Sequence, residues 1–242
     1  MTQAKGIPPN IVELTAPGMT KMQEMASRMG LPMFAMGAMV LIATLVIGSI
    51  ESVLMSDLFD VDQATREGAN ASGSLLDKQQ FIESTRLWLP RFQLLGMGLM
   101  FGGITFLLAT ILGNLSLAGA AVQKKSGRRM LAPKPPWSAQ LFPMLMMSGL
   151  MILIAALVIS IVVAFIAGDV FGNPISMISE AEAGSGLLDD FQTVRTFAAW
   201  LQSFAFVGLA LVLSGIVLAL YTIAQVLRFQ HERIAQLAEG AE

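Results

Sequence analysis

The feature that most constrains this chain is an internal duplication, seen when the sequence is laid over itself at an offset of 111 or 112 residues. At 111, Pro32, Met33, Met36, Ser49 and Ile50 fall on Pro143, Met144, Met147, Ser160 and Ile161. At 112, Trp88, Phe92, Gly96, Gly103 and Thr110 fall on Trp200, Phe204, Gly208, Gly215 and Thr222. A repeat of this length dictates architecture before any local propensity does. The expectation is two copies of one two-helix hairpin.

Composition decides the medium in which those copies fold. Of the 242 residues 55% are hydrophobic and 13% charged, away from the usual soluble balance. The apolar residues form four blocks, at roughly 32–56, 92–122, 140–168 and 197–227, and about 20 apolar residues suffice to cross a hydrocarbon core. Runs such as 152–167 lack the polar stripe of a soluble amphipathic helix. The fold class predicted is therefore an all-α integral membrane protein. Four transmembrane helices come from tandem duplication of a hairpin, with amphipathic interfacial helices beside them. Each copy holds two spans, so both copies insert in the same sense. That makes a parallel repeat with its pseudo-twofold along the membrane normal.

Five regions follow: a leader with an amphipathic interfacial helix at 1–31, a first two-span repeat at 32–122, a basic linker at 123–139, a second repeat at 140–228, and a tail at 229–242. The interfacial helix is expected over Met19 to Met29, with Pro32 opening the first span. The mixed polar first 31 residues do not read as a cleavable signal peptide. Lys124, Lys125, Arg128, Arg129 and Lys134 crowd the linker, which the positive-inside rule places in the cytoplasm together with both termini. A bacterial inner membrane is the expected location. Between spans, each loop reads as an acidic, Gly- and Ser-rich link running into an amphipathic helix, the first opened by a Ser74/Asp77 capping box.

Candidate sites are few. Gly98 and Gly102 form a small-xxx-small pair that the offset carries onto Ala210 and Ser214. Small residues let membrane helices approach closely, so spans two and four are expected to pack through them. Trp88 and Trp200 are expected as interface anchors. Glu51 and Arg91 are the candidate intramembrane polar residues; Glu51 could pair with Arg91, the blander reading being a carboxylate that reaches the outer headgroups or a structural ion pair. Asn70–Ser72 and Asn114–Ser116 match the three-residue glycosylation sequon, a motif that recurs by chance.

Among 17 methionines, Met19, Met22, Met25 and Met29 run at helical spacing. Thioethers suit Cu(I), yet they also make adaptable contact faces. A partner-contact face is the reading adopted, with a Cu(I) carrier as the weaker alternative. The chain contains no cysteine and one histidine, which excludes disulfides, thiolate metal sites and bis-histidine haem held by this chain alone.

No nucleotide-binding, triad or metalloprotease motif occurs. The expectation is a non-catalytic accessory subunit of a larger membrane complex, neither an enzyme nor a cofactor carrier. Its expected partners are other integral membrane subunits and lipids, with self-association as an alternative and nucleic acid excluded. A small oligomeric transporter or channel for a neutral substrate is the runner-up.

Overall fold

The computed structural model describes residues 11–13, 21–68, 73–125, 131–133 and 136–239. The described chain is almost entirely helical. In order it runs β1 (Ile11–Glu13), α1 (Lys21–Phe59), α2 (Gln63–Glu67), α3 (Ser74–Lys125), β2 (Leu131–Pro133), α4 (Trp137–Phe171), α5 (Ile175–Ser179) and α6 (Gly186–Glu239). Met19, the 70–72 sequon, Arg128, Arg129, Lys134 and most of the leader lie outside the described residues.

Helices α1, α3, α4 and α6 are each long and apolar enough to cross a membrane. They contain 39, 52, 35 and 54 residues, so at 1.5 Å per residue every one exceeds the roughly 30 Å of a hydrocarbon core. The surplus in α3 lies before residue 92 and that in α6 before residue 197 and after 227. These are the segments in which sequence places amphipathic extensions, and they are continuous with the spans.

Two expectations about helix starts need correction. No separate interfacial helix precedes Pro32, because α1 runs unbroken from Lys21 with Pro32 inside it. A proline removes one backbone hydrogen bond, and here tertiary contact bridges the weak point. A Cβ on Gly103 of α3 would lie 2.6 Å from the Phe34 nitrogen and 2.8 Å from the Gly30 oxygen, on either side of the proline. The Ser74/Asp77 box is also displaced. Ser74 is already helical, and the Asp77 N–H donates to the Gly73 carbonyl at 3.1 Å. Gly73, with φ +58°, therefore takes the cap position, a conformation that suits a residue without a Cβ.

The chain separates into two compact units. The first comprises 1–35, 100–148 and 211–242, and the second 36–99 and 149–210. In the first unit, β1 pairs antiparallel with β2, Val12 opposite Ala132, tying part of the leader to the linker. Glycine again sets the helix contacts in this unit. A Cβ on Gly215 of α6 would sit 3.1 Å from the Phe142 oxygen and 3.6 Å from the Met146 Cβ of α4. Ser138 and Thr222 are fully buried, 2.7 Å apart. Thr222 spends its proton on the Leu218 carbonyl at 2.8 Å, so the Ser138 hydroxyl is the donor between them. Gln230 Nε2 of α6 donates to the Leu115 carbonyl of α3 at 2.6 Å.

The second unit repeats the device. A Cβ on Gly96 would meet Val40 Cγ1 at 2.9 Å, and one on Gly208 would meet Ile152 Cγ2 at 2.9 Å and the Gly149 oxygen at 3.0 Å. Its core gathers Leu87, Val163, Ala164, Ala167 and Val194, with Trp88 and Phe171 against them. The loops of this unit carry α2 and α5. Asp62 caps α2, its Oδ2 accepting from the Thr65 N–H at 3.0 Å and its Oδ1 from the Thr65 hydroxyl at 2.9 Å.

Buried positions along each helix show why the elements pack as they do. In α6, Leu201, Ala205, Gly208, Val212, Gly215, Ala219, Thr222 and Val226 are buried, alternating steps of four and three. In α4, Met146, Leu153, Ser160 and Ala167 recur every seventh residue, each at most 1% exposed. In α1 the same period picks out Gly30, Gly37, Thr44 and Leu58 as buried, with Glu51 half-buried in the series. A seven-residue period keeps one stripe facing its partner along a slightly supercoiled pair.

Two expected outcomes follow from these contacts. Gly103→Val should lower stability in detergent by about 1–3 kcal/mol, since backbone and not a side-chain tip must yield. Gly98→Ala should cost less, because the group it meets is the Leu153 Cδ1 end of a flexible side chain. Thermal unfolding of the two variants checks the ranking. For α2, hydrogen bonds from Thr65 hold the Asp62 carboxyl below its ordinary value, and those from Gln63 and then Arg66 do the same for Glu67. Depressed carboxylates stabilise above their unfolded pKa and lose that contribution as pH falls through the folded value. Amide protection in α2 should hold down to about pH 4 and decline below it, as hydrogen exchange would show.

Candidate functional site

The second unit holds the ion pairs between α1 and α3, and the register of the two helices decides which charges meet. The two helices run antiparallel. Leu41 lies by Gly96, Gly48 by Leu89, and Asp57 pairs with Lys78 at 3.2 Å. Glu51 therefore comes opposite Arg86, not Arg91, and the observed ion pair is Glu51 Oε1 to Arg86 Nε at 3.4 Å. The Glu51–Arg91 pair suggested by the sequence is thus corrected. Arg91 stands five residues further along α3, roughly 7 Å of helix rise out of register. Arg86 also pairs with Glu83 at 3.2 Å and approaches Met55 Sδ at 3.4 Å, so its charge is matched by two carboxylates.

Arg91 follows Pro90 and is 5% exposed. Its Nη1 donates to the Leu87 carbonyl and its Nη2 to the Ala198 carbonyl of α6, each at 3.0 Å. Its buried Nε has no hydrogen-bond partner. Carbonyls near a proline commonly recruit a side chain where water is scarce. The consequence is a guanidinium in ion pair with no carboxylate among the described residues, bound between two helices.

Arg91 lines a cavity of about 690 Å³ within the second unit, together with Arg86, Glu83 and Arg195. The remaining wall is largely apolar, with Phe171, Ile178, Leu188, Phe191 and Val194 prominent. Phe171 and Phe191 meet edge to face at 6.1 Å, and the Arg195 guanidinium lies 4.9 Å from the centre of the Phe191 ring. An apolar enclosure with a few convergent polar groups is the usual form of a small-molecule site. Arg195 is not among the residues expected from sequence. The signal available was its place in the amphipathic start of α6, with Phe191 four residues before it on the same face.

The small residues chosen from sequence divide. Gly98 and Gly102 are buried, and Gly98 packs on Leu150 and Leu153 of α4. Ala210 and Ser214 lie on an exposed face of α6, so this pair does not meet the Gly98/Gly102 pair. Contact between α3 and α6 comes instead through the apolar cluster that holds Leu87 and Val194 and through side chain to carbonyl bonds, Arg91 to Ala198 in one unit and Gln230 to Leu115 in the other. The seven-spaced glycines Gly96/Gly103 and Gly208/Gly215 each lie against a neighbouring helix.

Trp88 and Trp200 occupy different settings. Trp88 is half-buried against the core of the second unit and 5.9 Å edge-on from Phe92. Trp200 is exposed, stacked on Phe204 at 4.9 Å with Phe197 edge-on at 6.3 Å. Met25 and Met29 are exposed on α1, and Met22 belongs to the same helix. Among the described residues no group of three or more His, Cys, Asp or Glu could hold a metal ion.

Comparison with protein-family models, with curated proteins and with solved structures finds no match. What the chain itself defines is a class: a helical protein with four helices suited to crossing a membrane, the mark of an integral membrane protein.

The geometry assigns Glu51 a modest role. Arg86 is half exposed and keeps Glu83 as a partner, so Glu51→Gln should change stability by no more than about 1 kcal/mol. A loss of several kcal/mol in thermal unfolding would contradict the arrangement.

Proposed function

We propose that this chain is a non-catalytic structural subunit of a larger membrane complex, built by tandem duplication of a two-helix hairpin. Support for the duplication lies in the spacing of elements. The ends of α1 and α4, the starts of α2 and α5, and the starts of α3 and α6 are each 112 residues apart. The two glycines with positive φ, Gly73 and Gly184, are 111 apart. The same offsets relate Gly96 to Gly208 and Gly103 to Gly215, the glycines at the helix contacts.

The observation that carries the subunit reading is the unequal cover of the two copies. In the most apolar stretch of α4, 39% of residues are buried within the chain, against 11% in α1. Ser138 and Ser160 of α4 are fully buried, whereas their counterparts Ser27 and Ser49 of α1 are exposed. Two copies with one ancestral face would place their small polar residues alike. The open face of α1 also carries Met25, Met29, Met36 and Met39, residues suited to adaptable contact. A helix of another integral membrane subunit fits that face, since small and hydroxyl-bearing residues promote helix association in lipid. With the basic linker cytoplasmic, both termini lie on the inner side, in keeping with a bacterial inner membrane.

Purification of the tagged chain from native membranes in a mild detergent, followed by mass spectrometry, tests this reading. A stoichiometric partner is expected, and photo-crosslinkers at Met36 and Met39 should capture it while one at the exposed Val217 of α6 should not. Elution alone, or as a homo-oligomer, would contradict the proposal.

A further inference from the structure

We infer that the cavity of the second unit is a binding site for an anionic phospholipid, with Arg91 and Arg195 receiving the phosphodiester and the apolar wall receiving the start of the acyl chains. The argument begins from charge. Of the three arginines on the cavity, Arg86 is matched by Glu51 and Glu83. Neither Arg91 nor Arg195 has an ion pair among the described residues, and the sole carboxylate on the wall is the Glu83 that Arg86 already engages. The enclosure therefore holds two uncompensated cations.

Arg91 is the stronger of the two observations. Burying a guanidinium is costly unless its charge is answered, and this one has only two neutral carbonyls and an unpartnered Nε. An anion in the cavity supplies what the protein does not. A phosphodiester suits the planar fork of arginine, which binds phosphate oxygens in charge-assisted hydrogen bonds.

The wall determines which anion. Inorganic phosphate or a small hydrophilic metabolite would leave the half-buried Phe171, Leu188 and Phe191 and the exposed Ile175 without an apolar neighbour on the cavity side. A lipid covers them, and lipids bathe the spans from which Leu87, Arg91 and Ala198 project into this cavity. Basic pockets between membrane helices recognise anionic headgroups on the same principle. The site does not depend on the identity of any partner subunit, so it stands or falls separately from the subunit reading.

Native mass spectrometry of the full chain in detergent provides the test, with soluble short-chain phosphatidylglycerol, short-chain phosphatidylcholine and inorganic phosphate as probes. Phosphatidylglycerol should bind about tenfold more tightly than phosphatidylcholine, the scale of one charge-assisted contact. Arg195→Gln, at an exposed position, should fold normally and lose most of that preference. Arg91→Gln should lose it too, and Lys78→Gln, whose ion pair with Asp57 lies off the cavity, should keep it. Equal binding of the two lipids would overturn the inference, as would a preference that survives in Arg195→Gln. Inorganic phosphate that binds as tightly as phosphatidylglycerol would replace the lipid site with a free-anion site and overturn it as well.

Discussion

Close approach of helix backbones at glycine is the constraint on which the rest of this structure depends. In lipid there is no hydrophobic gain from bringing two apolar helices together, so association rests on packing and on hydrogen bonds between helices. Gly103 admits the backbone of α1 around Phe34, and Gly215 admits that of α4 around Phe142. Once those contacts are set, the antiparallel register of α1 and α3 follows, and with it the pairing of every charge between them. Asp57 meets Lys78 and Glu51 meets Arg86 because each pair is in register with Gly96 against Leu41. Moving one glycine by a turn would rearrange the electrostatics as well as the packing.

Polar groups then serve as local fasteners. Thr222 satisfies its own helix and still receives the Ser138 hydroxyl. Arg91 and Gln230 each reach a carbonyl on a different helix. Bonds of this kind are individually modest in membranes, but they are directional, which apolar contact is not. Their directionality selects one rotation of α6 about its axis, with Ala210 and Ser214 on an exposed face. Charge is handled differently in the two halves of the helices. In the cavity Arg86 is matched by Glu51 and Glu83, while Arg91 and Arg195 have no ion pair among the described residues.

Much of the fold was legible from residue pattern because membrane insertion leaves few choices. Four apolar blocks imply four helices, and the amphipathic starts of α3 and α6 were read as continuous with their spans. The misreadings share one physical origin. Motif spacing and depth alone suggest a Gly98/Gly102 contact with the fourth span and a Glu51–Arg91 pair, whereas partners are chosen by inter-helix register. The informative signal was the seven-residue period, Gly30–Gly37–Thr44–Glu51–Leu58 in α1 and Gly96–Gly103 in α3, which places Glu51 on the α3-facing stripe. Pro32 misled for a related reason, since a tertiary contact at Gly103 compensates for a local break. Arg195 leaves only a local trace, its spacing of four from Phe191, because the cavity it lines is assembled by the fold from loop and helix.

The most direct test of the central claim is disulfide formation between α4 and α6 in membranes. The chain contains no cysteine, so an introduced pair has no competitor. A Cβ on Gly215 would be 3.6 Å from that of Met146, within the span a disulfide bridges. Gly215→Cys combined with Met146→Cys should cross-link readily under mild oxidation. Gly215→Cys combined with Met147→Cys, whose side chain is on the exposed face, should not. Comparable cross-linking of both pairs, or of neither, would contradict an architecture built on glycine-mediated approach.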